Sequence, residues 1–90
     1  MIETIWVFHG AGSQFANGVF LSFSIAESWI TKHELSGVLT EYPINAGSYD
    51  FAVENGFFEP NGDNQSSSAF IQRFTNAGLS HHHYEDGLSD

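Results

Sequence analysis

The residues best equipped for chemistry stand near the C-terminus, in His81-His82-His83-Tyr84-Glu85. In an extended run, alternate side chains share a face. His81, His83 and Glu85 then point one way, and His82 and Tyr84 the other. Two imidazoles and a carboxylate are donor types that zinc or another transition metal accepts. His9 would add a fourth donor if the first and last strands were neighbours. The competing reading is a surface strand of imidazoles, or imidazoles bonded to backbone, with no cofactor. The chain has no Cys, so neither a thiolate ligand nor a disulfide is available.

Other groups are less suited to catalysis. Asp50 and Glu54 stand four residues apart, which on a helix makes them neighbours that repel slightly. Nothing places these two across a cleft, as paired-carboxylate hydrolysis requires. Most serines sit where caps and turns want them. Gly10-Ala11-Gly12 follows a strand-like run, but a dinucleotide-binding turn needs a third Gly, and position 15 is Phe. His9-Gly10-Ala11-Gly12 also has the look of an esterase oxyanion loop, yet the chain contains no Gly-x-Ser-x-Gly elbow. The expectation is a non-enzymatic protein without a cofactor.

Charge narrows the partners. Eleven Asp and Glu face only Lys32 and Arg73, for a net charge of −9 with neutral His. Such a surface repels nucleic acid and anionic membranes and attracts basic proteins. The acids are spread along the chain, which suits a folded domain better than a disordered tail. The first residues lack a basic segment and a long apolar run, so a cytoplasmic protein without a membrane span is expected.

The elements that would position these groups follow from patterning. Glu3 to His9 is β-branched and aromatic, with Ile5, Val7 and His9 on one face and Thr4, Trp6 and Phe8 on the other. Val19-Phe20-Leu21 reads as a second strand after the Asn17-Gly18 turn signal. Phe23, Ala26, Ile30 and His33 fall on one helical stripe, predicting a helix over 23–33. Ser22 or Ser24 can cap it, the latter in a capping box with Glu27, while Glu27 and Glu34 stay wet. Val38 to Tyr42 is a third strand, stopped by Pro43. Ser48 and Asn55-Gly56 bracket a short helix with Tyr49, Ala52 and Val53 on one face. Residues 59–68 read as a mobile polar loop, and a last short helix over 69–74 turns Phe70, Ile71 and Phe74 inward. His81 to Glu85 is the final strand, closed by Asp86-Gly87, and residues 88–90 should fray. The fold expected is α+β in one domain of 90 residues. It is a small, mostly antiparallel four-stranded sheet in ββαβ(α)(α)β order, with one main helix on one face.

A specific set of motifs runs through the chain. They are Trp6-Val7-Phe8-His9-Gly10, Gly18-Val19-Phe20, Ala26-Glu27-Ser28-Trp29-Ile30, Leu35-Ser36-Gly37-Val38-Leu39-Thr40-Glu41-Tyr42-Pro43, Tyr49-Asp50-Phe51-Ala52-Val53-Glu54-Asn55-Gly56-Phe57-Phe58 and His81-His82-His83-Tyr84-Glu85-Asp86-Gly87. On these the chain resembles a family of small bacterial proteins classed as a domain of unknown function. That family usually has Trp where Phe51 stands, Tyr at His82 and Asn at Asp86. The resemblance implies that the His triplet itself is not the family's conserved chemistry, and it transfers no catalytic residue.

Two functions are weighed. The first is a protein-binding domain, in its sharpest form an immunity-type inhibitor of a basic toxin, with Glu41, Asp50, Glu54, Glu59, Asp63, Glu85 and Asp86 as candidate contacts. The alternative is a metal- or small-ligand-binding module built on His9, His81, His83 and Glu85. The oligomeric state is left open.

Overall fold

Alternating aromatic and β-branched residues in β1 (Thr4–Gly10) serve two faces at once, and the sheet is laid down on both of its edges. The structure, a computed structural model, describes residues 3–90. Five strands form one antiparallel sheet in the order β2-β1-β3-β4-β5. β2 is Gly18–Phe20, β3 is Gly37–Pro43, β4 is His81–Glu85 and β5 is Leu88–Ser89. Three helices complete the chain: α1 (Phe23–Lys32), α2 (Ser48–Glu54) and α3 (Ser68–Arg73), with a 3-10 turn at Asp63–Ser66. No helix among the described residues is long and apolar enough to cross a membrane.

The chain forms two compact units. One holds the residues up to Ile44 together with Leu79–Asp90, and the other is Asn45–Gly78. In the first, α1 lies on the sheet face that carries Phe8, Leu39 and Tyr84, and its Ala26 and Ile30 are fully buried against that face. Trp6, Phe20, Phe23, Trp29 and Leu35 pack around this core. Trp29 meets the ring of Phe8 edge-on at 5.8 Å, and Phe23 meets Trp6 at 5.1 Å. Ser22 is the cap, its Oγ accepting from the Ile25 amide at 3.3 Å. The helix ends one residue earlier than its apolar stripe suggests, because Glu34 turns left-handed at φ 54° and the Leu35 amide bonds back to the Ile30 carbonyl.

The sheet has five strands rather than four. Asp86 and Gly87 both take positive φ, 51° and 84°, the pairing that turns a hairpin in two residues. The chain therefore doubles back where a frayed end was expected: Leu88 pairs with Glu85, Ser89 with Tyr84, and the Asp90 amide donates to the His83 carbonyl. β3 ends at Pro43, opposite Thr4, as the missing amide donor predicts.

In the second unit, Tyr49, Phe58, Phe70 and Phe74 form a mutual ring cluster with centroids 5.0–6.2 Å apart. The Tyr49 hydroxyl donates to the Gln65 carbonyl and anchors the 3-10 turn. Ser67 caps α3 by accepting from the Phe70 amide. Two details differ from the patterning. Gly47, not Ser48, is the N-cap of α2. Val53 and Ile71 are exposed, because helices this short cover one narrow strip, taken by the buried Ala52 in α2 and the half-buried Phe70 in α3.

Candidate functional site

One end of the first unit's sheet gathers three loops: 11–17 after β1, 33–36 after α1, and the β4–β5 turn. Backbone bonds knit them together. The Ala11 amide donates to the Ser36 carbonyl, the Gly87 amide to the Leu35 carbonyl, and the Asp86 amide to Ser36 Oγ at 3.0 Å. Asn17 braces the first loop. Its Oδ1 accepts from the Gly10 amide at 2.6 Å and its Nδ2 donates to Ser13 Oγ. His9 Nε2 lies 2.8 Å from the Ser13 carbonyl, which can only accept. That nitrogen therefore carries the proton, and the Nδ1 lone pair is left for another partner when the ring is neutral.

Two open clefts flank these loops. One, of about 600 Å³, has an apolar floor of Phe8, Trp29 and Leu35 and a polar rim of Ser13, Asn17, Glu34 and Ser36. The other, of about 700 Å³, is lined by His9, Gly10 to Ser13, Ser36 to Val38, His83 to Glu85, and Asp90. The patterning pointed to His9, His83 and Glu85 but not to Asn17 or Ser36. Asn17 acts through side-chain bonds within its own loop and Ser36 through a bond to the β4–β5 turn, and neither leaves a periodic trace in a sequence.

The imidazoles do not converge. His82 turns onto the α1 face, with Phe23 at 4.8 Å and Trp6 at 5.9 Å between ring centroids. His81 Nδ1 donates to the Leu79 carbonyl at 2.8 Å, and its ring meets His83 edge-on at 5.2 Å. β1 and β4 are not neighbours, because β3 lies between them. His9 and His83 share a cross-strand row with Val38 in the middle, so their strands are roughly 9–10 Å apart. No group of three or more His, Cys, Asp or Glu among the described residues is arranged to hold a metal ion.

The carboxylates divide between the units. Glu41, Glu85 and Asp86 belong to the first; Asp50, Glu54 and Glu59 belong to the second. Glu41 is half-buried and accepts from the Thr4 hydroxyl, so it is the least available of the set. The other five are exposed. The side chain of Asp63 lies outside the described residues. Neither base neutralises these acids among the described residues: Arg73 Nε is turned back to the Ala69 carbonyl, and no carboxylate pairs with Lys32.

A carboxylate that the helical stripe left wet is engaged. The Tyr84 hydroxyl donates to Glu27 Oε2 at 2.9 Å, linking β4 to α1. Burial, then this hydrogen bond and the adjacent negative charge, push the Tyr84 phenol from 10.0 up to about 12. A folded value above the unfolded one means stability that is complete below pH 10 and is lost as the pH rises through 12. In an ultraviolet titration one tyrosine is expected to ionise late, near pH 12, with the melting temperature falling between pH 10 and 12. Tyr84→Phe should abolish the late step.

The comparison with known proteins carries the assignment. A family model described as Domain of unknown function (DUF7710) matches residues 5–90. The chain belongs to that family. No curated protein and no solved structure matches it. In this member of DUF7710 the match spans all five strands but for the first residue of β1, together with the three loops at the sheet end.

Proposed function

We propose that this DUF7710 member is a small non-enzymatic protein-binding domain that meets a basic partner through its unpaired carboxylates. Its sharpest form is an immunity-type inhibitor of a basic toxin, such as a nuclease. One observation carries the reading: eleven acids face two bases, and the exposed carboxylates among the described residues have no ion-pair partner. Unpaired surface charge of one sign raises the encounter rate with an opposite partner and leaves the desolvation cost low until contact.

The test is capture from the native host's lysate at low and high salt, followed by association kinetics with the protein retained. A basic partner should bind at low salt and weaken at high salt. The double reversals Glu85→Lys with Asp86→Lys, and Asp50→Lys with Glu54→Lys, should show which unit engages it, slowing association by roughly tenfold or more. Binding indifferent to salt and to both reversals would overturn the reading. The alternative, a ligand module at His9, His81, His83 and Glu85, is favoured by the cleft that joins His9, His83 and Glu85. It requires a saturable rise in melting temperature with zinc that His83→Ala removes.

A further inference from the structure

Charge is absent from one long stretch. Residues 10–26 contain no Asp, Glu, Lys or Arg, in a chain that carries eleven acids elsewhere. The same stretch holds four of the five most exposed large apolar side chains among the described residues: Phe15 at 75 %, Val19 at 61 %, Leu21 at 84 % and Ile25 at 60 %. Val19 lies within β2, Phe15 precedes it, and Leu21 and Ile25 follow it into the start of α1. β2 is the outer strand on its side of the sheet and pairs with β1 alone, so its other edge meets no strand of the sheet. A free edge flanked by exposed apolar side chains is a template for another strand.

We infer that the β2 edge is the interface of a symmetric homodimer, in which β2 pairs antiparallel with β2 of a second copy. Charge selects this occupant. A basic partner is drawn to the carboxylates, which lie outside this stretch, and an acidic partner is repelled by them. A second copy, brought in by a two-fold axis, sets the uncharged stretch 10–26 against its own equivalent. Area agrees with this choice. The four side chains expose roughly 500 Å² per chain, so a symmetric pair has about 1,000 Å² to bury, the size at which specific association becomes sustainable.

The experiment is sedimentation of the full chain across a concentration series, alone and as Val19→Lys and Leu21→Lys. Lysine lowers the net negative charge, so lost pairing cannot be blamed on added repulsion between copies. The wild type should dimerise, and each variant should raise the dissociation constant by roughly tenfold or more, since every substitution enters the interface twice. Circular dichroism and melting temperature should hold for Leu21→Lys, whose side chain lies outside any strand. Salt should strengthen the dimer by screening two chains of like charge, opposite to its effect on a basic partner. A wild type that stays monomeric overturns the inference. So does a dimer untouched by either lysine, or a monomer that binds uncharged phospholipid vesicles through Leu21.

Discussion

Gly37→Ala is expected to lower stability by roughly 3–5 kcal/mol, enough to reduce the melting temperature by about 15 °C or more. Two effects add. Gly37 sits at φ 154°, a backbone region that side chains avoid. A methyl group there would also lie 2.3 Å from the His9 carbonyl oxygen and 2.8 Å from both the Gly10 Cα and the Phe8 ring. Two of those neighbours are backbone of β1, which cannot turn aside as a flexible side chain would. Gly37 faces Gly10 across β1 and β3 and Tyr84 across β3 and β4, at the end of the sheet where the three loops meet. A domain of this length holds only about 5–13 kcal/mol in reserve. Chemical denaturation with Gly37→Ala beside the wild type measures the loss, and a midpoint within experimental error of wild type would show that β1 and β3 can spread.

How much of this was legible follows from what each signal is made of. β1, α1 and β4 announce themselves by residue type and spacing: β1 and β4 are unbroken runs of strand-forming or aromatic residues, and Ala26 with Ile30 keeps the helical period of α1, whereas burial itself does not alternate along β1 or β4. β5 was missed because a strand of two residues has no period to detect. Its only sign was Asp86-Gly87, which reads equally as a stop and as a hairpin turn until the partner strand is known. The bond between Glu27 and Tyr84 joins residues 57 positions apart and obeys no spacing rule. The candidate site divides in the same way. That His81 and His83 lie opposite His82 follows from strand parity alone. Whether His9 could join them depended on strand order, and β3 between β1 and β4 is a fact of topology that composition does not encode. The neutrality of residues 10–26 was visible from the start. It became informative only once β2 proved to be an edge strand with exposed apolar neighbours.

Phe8→Ala should cost a further roughly 3–5 kcal/mol on its own and leave the chain barely folded. The side chain is 1 % exposed and packs in the core with Ala26, Ile30, Leu39 and Tyr84. Its deletion leaves a void bounded by the Trp29 ring and open to the floor of the smaller cleft, where partial collapse or water entry decides where in that range the cost falls. The informative measurement is a double-mutant cycle with Gly37→Ala. The two sites share the Phe8 ring, so the substitutions should not add. Removing the ring relieves one of the two clashes at 2.8 Å but leaves the His9 carbonyl at 2.3 Å. The double variant should therefore fall short of the sum by roughly 1 kcal/mol, while Gly37→Ala remains destabilising in the Phe8→Ala background. Full additivity would mean that the ring plays no part in excluding a side chain at position 37. Full rescue would mean that the backbone approach of β3 to β1 is soft, and that the glycine serves the aromatic core alone.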